Sequence, residues 1–189
     1  MKYTITYLDY DPMQLRREET DRNLVAIKEF SKGYDYELLI AKDIHGYSSA
    51  VNYGFENGKG DYFVFVASDV FLRDPKWLDK LTIPDTITAW KEVPFSLDGS
   101  PMLEFSCLCV PRSVYEKIGG LDEIFNDGYG FEDNDFIERA QKEGILMKGV
   151  DVDLRHGNSQ TFSTYFGDYS ALHDHNRSLF LQKWPKYLK

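Results

Sequence analysis

The sequence predicts an α/β fold, a single domain whose mixed, mainly parallel central sheet is flanked by helices. Three observations carry that expectation. β-favouring runs alternate with helical patterns from the first residues onward. Residues 61–67 (Asp-Tyr-Phe-Val-Phe-Val-Ala) are apolar almost throughout, as in a strand covered on both faces. The 189 residues, 42% of them hydrophobic, suffice for one core, and no linker, repeat or low-complexity stretch divides them.

Residues 3–8 read as the first strand, and Asp9, Asp11 and Pro12 mark the loop at its C-terminal end. A helix follows with Leu24, Val25, Ile27 and Phe30 on one face, Asp21 as its cap and Gly33 as its stop. Residues 36–41 form the second strand, after which Ser48 or Ser49 caps a short helix running to about Asn57 and stopped by Gly58. The central strand at 61–67 delivers Ser68 and Asp69 at its end, where open α/β sheets bind ligands. Asp74 and Pro75 cap and open a short helix carrying Trp77, Leu78 and Leu81.

Residues 86–93 and 103–110 read as two strands that pair as a mixed extension of the sheet, joined by a polar loop with Pro94, Gly99 and Pro101. A helix over 113–118 closes at Gly119-Gly120, and residues 121–125 lead into a glycine-rich acidic turn. Beyond it, Phe136, Ile137 and Ala140 recur at helical spacing up to the stop at Gly144. Residues 145–150 give a last strand. The polar stretch 151–159 has no period and is expected to be mobile. Residues 169–184 form a terminal helix, with His173 and His175 on its polar face.

The formal charge of −9 disfavours nucleic acid and anionic membrane surfaces as partners; a small or neutral ligand fits better. No apolar run is long enough to span a membrane, and Met1-Lys2-Tyr3-Thr4 leads straight into a strand pattern without a signal peptide, so the expected compartment is the cytoplasm. Cys107 and Cys109 stand two apart in a strand. They point to one face, which suits packing better than a disulfide or a metal site.

The chemistry concentrates in Gly128-Tyr129-Gly130-Phe131-Glu132-Asp133-Asn134-Asp135, three carboxylates within four residues at the mouth of a helix. Acids there stabilise the helix dipole. Two glycines beside two aromatics also resemble a sugar-binding floor next to a general base, and both readings stand. A calcium loop does not, because Tyr129 and Phe131 would fall where oxygen ligands belong and Glu132 where the turn glycine belongs. Asp69 is either a turn former or a site residue, and His156 either a solvated loop histidine or a metal ligand.

Gly46-Tyr47-Ser48-Ser49-Ala50-Val51-Asn52-Tyr53-Gly54, followed by residues 58–69, resembles the donor half of a family 2 GT-A glycosyltransferase. Residues 110–123 and Gly130-Phe131-Glu132-Asp133-Asn134-Asp135 are similar to that family's acceptor half, especially to relatives with a galactosyltransferase-like C-terminal motif. With His156 and the tail at 176–184, the resemblance covers the chain from about residue 36. It implies a single GT-A (Rossmann-like) domain over 1–189, with a donor nucleotide half at about 1–81 and an acceptor and catalytic half at about 82–189. The implied activity is inverting transfer from a nucleotide-sugar donor, of the UDP-sugar class, to a glycan or glycoconjugate acceptor, with a divalent metal, Mn2+ or Mg2+. The resemblance places the catalytic base at Asp133, acceptor contacts at Glu132 and Trp90, and metal ligands at Asp69 and His156. Donor nucleotide contacts fall to Tyr7, Asp9, Asp43, His45, Tyr47 and Ser68. Where many relatives show Asp-x-Asp, this chain has Ala67-Ser68-Asp69 and keeps one acid. Trp90 fits the core as well as it fits an acceptor contact. The alternative function is a non-catalytic nucleotide-sugar or carbohydrate-binding module. A nucleotidyltransferase is disfavoured, since the stretch Tyr7-Leu8-Asp9-Tyr10-Asp11 is acidic where a basic phosphate loop is needed.

Overall fold

The computed structural model of the protein describes residues 1–157, Tyr165 and residues 168–188. Six strands form the main sheet: β1 (Lys2–Asp9), β2 (Asp35–Lys42), β3 (Tyr62–Ala67), β5 (Thr86–Ala89), β8 (Cys107–Pro111) and β9 (Leu146–Gly149), in the order β2-β1-β3-β8-β5-β9. β1 pairs in parallel with β2 and β3, and β5 with β9; β8 alone runs against its neighbours β3 and β5. Two ribbons flank the sheet, β4 (Val70–Leu72) with β10 (Leu154–His156) and β6 (Glu92–Pro94) with β7 (Pro101–Leu103).

The helices are α1 (Arg17–Phe30), α2 (Tyr47–Asn57), α3 (Trp77–Leu81), α4 (Arg112–Ile118), α5 (Glu132–Lys142) and α6 (Ser170–Lys183). Helices cover both faces of the sheet because β3 and β8 are buried along nearly their whole length and present apolar side chains in both directions. One cluster packs Phe55, Phe63, Phe65, Leu108 and Phe136 on the α2 and α5 side. The other packs Tyr3, Ile5, Ile27, Val64, Trp77 and Cys109 on the α1 and α3 side. Each draws on both the 1–81 and the 82–189 stretches. Both cysteines are free and buried in the second cluster, as expected of packing residues. Among the described residues no helix is long and apolar enough to cross a membrane.

Five local expectations are corrected. Asp21 lies inside α1 and caps nothing; the helix starts from Arg16 without a side-chain cap, and Asp11 braces the turn before it, its carboxylate accepting the Leu15 and Arg16 amides at 2.9 and 3.0 Å. Val25 faces solvent, while Asn23 and Ile27 are the buried positions of that helix. Neither Ser48 nor Ser49 caps α2, which starts from Gly46 at φ +82°; a Cβ there would collide with Asn126, so the position needs glycine. The runs 86–93 and 103–110 each break in two. Their inner parts, β5 and β8, join the sheet and their outer parts, β6 and β7, form a hairpin beyond it. Finally, residues 154–156 of the stretch expected to be mobile form β10, and Asn158 and Ser159 lie outside the described residues.

Candidate active site

The reversal of β8 builds the site. In a parallel sheet only the carboxyl ends of strands meet at the ligand edge; an antiparallel neighbour brings its amino end there too. Val66 of β3 stands opposite Cys107 of β8, and the Ala67 amide donates to the Ser106 carbonyl at 2.8 Å. The segment leading out of β3 (Ser68, Asp69) and the one leading into β8 (Glu104, Phe105, Ser106) therefore lie side by side. Between them and the N-terminus of α5 opens a cavity of ≈ 390 Å³, whose walls include Asp9, Asp69, Glu104, Glu132, Asp133 and His156.

The β4–β10 ribbon sets the Asp69 side. His156 pairs with Val70, and the Gly157 amide donates to the Asp69 carbonyl at 2.8 Å. This brings His156 Nε2 to 3.4 Å from Asp69 Oδ1, with Asp69 buried and His156 half-buried. The hydrogen bond with Asp69 holds the imidazole's pKa above its ordinary value, against the opposing effect of burial. Two donor atoms about 2.1 Å from one divalent ion, at a tetrahedral or octahedral angle, are roughly 3.0–3.5 Å apart, so this pair fits such an ion. Among the described residues no group of three His, Cys, Asp or Glu side chains could hold a metal. An ion here would rest on one carboxylate and one imidazole, with its other positions open to phosphate oxygens.

The opposite wall is the acidic turn. Phe131 takes the left-handed conformation, φ +71°, because its ring is sunk between Phe95, Phe180 and His173. The backbone reverses there, and Glu132 and Asp133 enter the first turn of α5 facing the cavity. Asn176 of α6 fixes the preceding turn: its Nδ2 donates to the carbonyls of Phe125 and Gly130 at 2.9 and 2.7 Å. A Cβ on Gly128 would come within 2.0 Å of Asn176 Oδ1, so the turn closes only with glycine. Asp135, the third acid, points the other way. It is fully buried and bound by Arg139 at 3.0 Å, Lys183 at 2.8 Å and Trp184 Nε1 at 2.9 Å. The three acids thus divide, two for the cavity and one for the scaffold. Burial raises both cavity carboxyls above the ordinary range; Glu132 is pushed further by the Asp133 charge, and Asp133 by that of Glu104. Raised carboxyls in a cleft suit proton transfer near neutral pH.

Residues 105–162, in the C-terminal half of this chain, match the family model described as the N-terminal domain of galactosyltransferase. No curated protein matches the chain by sequence. Among solved structures, a Drosophila β-1,4-galactosyltransferase 7 mutant in complex with manganese, UDP-Gal and xylobiose superposes with a TM-score of 0.66 at 15% identity, covering 94% of this chain and 80% of that one. The chain has a GT-A glycosyltransferase fold. A mannosyltransferase from Pyrobaculum calidifontis, in complex with GDP-Man and Mn2+, gives a TM-score of 0.57 at 14% identity over 78% of this chain and 54% of that one. A glycosyltransferase involved in glycosylating the major capsid of PBCV-1 gives 0.53 at 11% identity, covering 94% of this chain and all of that one.

Within this GT-A fold, eight of the residues singled out from the sequence border the cavity: Asp9, His45, Tyr47, Ser68, Asp69, Glu132, Asp133 and His156. Tyr47 donates its hydroxyl to the Phe105 carbonyl at 2.6 Å; its pKa is driven up by burial and then by the charges of Glu132, Glu104 and Asp133. Exposed His45 meets Asp127 at 3.1 Å across the cavity mouth. Three others stand off the cavity wall. Tyr7 is wholly buried within the sheet, its hydroxyl donating to the Ser68 carbonyl at 3.1 Å, and burial lifts its pKa to about 12. Asp43 turns its carboxylate to the Asp11 amide at 3.0 Å. Trp90 packs against the core and donates Nε1 to Glu104 and, at 2.9 Å, to Ser106 Oγ. The sequence reading missed Glu104. Its signal was the one charged residue in the largely apolar run 103–110, where a strand buried on both faces tolerates no unpaired charge.

Proposed function

We propose that this protein is an inverting, metal-dependent glycosyltransferase that moves a sugar from a nucleoside-diphosphate donor of the UDP-sugar class to a hydroxyl of a glycan or glycoconjugate. The observation that carries this reading is the shared wall: the Asp69–His156 pair and the Glu132–Asp133 pair, distant in sequence, face one cavity. In the reaction the bond between the anomeric carbon and the donor phosphate breaks while the acceptor oxygen bonds to that carbon from the opposite side. Asp133 takes the acceptor's hydroxyl proton, and its raised pKa favours that transfer near neutral pH. Glu132, beside it, receives a hydrogen bond from the incoming sugar. Asp69 and His156 would hold a divalent ion, whose charge would stabilise the departing nucleoside diphosphate. As in glycoside hydrolysis, positive charge builds on the sugar ring, and acidic neighbours stabilise it.

The fold match supports this reading, since similar structures hold UDP-Gal in one case and GDP-Man in the other, each with manganese. The test is to incubate the protein with a panel of UDP- and GDP-sugars, manganese or magnesium, and simple disaccharide acceptors including xylobiose, and to measure released nucleoside diphosphate and glycoside product. Metal-dependent release with an inverted product is expected. Sugar nucleotides that raise the melting temperature without being turned over would favour the binding module, and neither effect with any donor would refute both.

A further inference from the structure

Trp90, Glu104, His156 and Asp69 form a continuous line from core to cavity. At its inner end Trp90 Nε1 donates to Glu104 Oε2, and Ser106 Oγ donates to the same oxygen at 2.5 Å. The Ser106 amide donates to Oε1 at 3.2 Å. Donors on both oxygens fix the carboxylate in place, which suits a stationary orienting charge better than a group that must pick up a proton. The Trp90 ring also lies edge-on to the His156 imidazole, centroids 6.4 Å apart and planes at 72°, and so walls it on one side.

The two nitrogens of that imidazole face two different carboxylates, Nε2 toward Asp69 at 3.4 Å and Nδ1 toward Glu104 at 4.0 Å. The longer separation exceeds a hydrogen bond, so in this state Glu104 acts on the ring through its charge. An imidazole that binds a metal through Nε2 keeps its proton on Nδ1, and the group facing Nδ1 sets the ring's orientation and tautomer.

The structure assigns Glu104 the role of a positioning residue: clamped by Trp90 and Ser106, it orients His156 so that Nε2 is presented beside Asp69 to a divalent ion. This rests on the metal-dependent reading above and adds to it a residue and a brace. It also gives Trp90, which stands off the cavity wall, a part in the site as the back of the clamp.

The test follows manganese, alone and with UDP or GDP, by electron paramagnetic resonance, with spin-echo detection of imidazole nitrogen coupled to the bound ion. Wild-type protein is expected to bind manganese with a nitrogen signal, and both Asp69→Ala and His156→Ala to lose it. Glu104→Gln, which keeps the shape and removes the charge, should weaken binding about 10–100-fold and diminish the nitrogen signal. Trp90→Phe, which removes the clamping donor and keeps an aromatic ring beside His156, should shift both in the same direction by less; should Glu104→Gln fail to fold, as shown by its melting curve, this variant decides. Wild-type affinity and an undiminished nitrogen signal in Glu104→Gln, or in Trp90→Phe where that variant decides, while Asp69→Ala binds no manganese, would overturn the role of Glu104 and leave the metal reading intact. Absence of manganese binding by the wild type would overturn the metal reading, and the role of Glu104 with it.

Discussion

Asp133→Asn separates a base from an ornamental helix acid, because the two readings give opposite signs in two assays. The amide keeps the side chain's size and can still accept the Asn134 amide that Asp133 Oδ1 now accepts at 2.8 Å. It cannot take a proton, so transfer should fall by about 10²–10⁴-fold, the usual contribution of a general base. Stability should move the other way. Glu132 and Asp133 hold their protons more tightly in the folded chain than in the unfolded one, so folding stability falls as pH rises from the ordinary carboxylate range through their raised folded values, and the cost is complete above them. Each unit of such a shift is worth about 1.4 kcal/mol. Neutralising Asp133 removes its own cost and relieves Glu132, a recovery of about 1–3 kcal/mol at pH 8. For a chain of this size that raises the melting temperature by about 2–10 °C. The gain should vanish near pH 3, below the ordinary carboxylate range, where the wild-type carboxyls are largely protonated in both states. Scanning calorimetry at the two pH values and a nucleoside diphosphate release assay measure the pair of effects. Turnover equal to wild type would remove Asp133 from the base role. A melting temperature lowered by the same amount at both pH values would show the acid to be a stabilising helix residue.

Other outcomes follow from the same geometry. Asp69→Ala should lose manganese-dependent donor binding, read by calorimetry with and without chelator. The pH profile of kcat/KM should show an acidic limb with an apparent pKa above the ordinary aspartate value, since burial holds Asp133 protonated to higher pH; a limb near pH 4 would contradict the raised carboxyl. Asn176→Ala deletes two hydrogen bonds from a buried amide and should cost about 1–3 kcal/mol in urea unfolding, with lower activity because the acidic turn loses its anchor. His45→Ala removes only an exposed pair with Asp127 and should change stability by less than about 1 kcal/mol.

The parts of this site legible in the sequence were those fixed by rules of strand and helix ends. Asp69 follows an apolar strand that could only be central, and Asp133 precedes a helix announced by Phe136, Ile137 and Ala140. The alternation of strands and helices gave the layers. Less legible was anything decided by a break in a strand. The chain bends at Trp90 and again between Glu104 and Ser106, and no periodicity marks where a strand leaves one sheet for a hairpin. Glu104 and Trp90 were therefore read as strand residues and their shared hydrogen bonds were invisible. β10 is three residues long, too short to carry an alternation, and it exists because β4 offers it a partner. Asp21 falls inside the helix because α1 starts earlier, from Arg16, where no side-chain cap marks the boundary and Asp11 braces the preceding turn from five residues away.

The reversed strand has one more consequence. The seam between β3 and β8 acts as a ruler: five matched residue pairs and the bond from Ala67 to Ser106 set the span between Asp69 and Glu104, whatever the intervening chain does. The connection across that span runs out through β6 and back through β7, past the last rung of the ruler. Residues 96–100 at its tip can therefore lengthen, shorten or change composition without altering the gauge between Asp69 and Glu104.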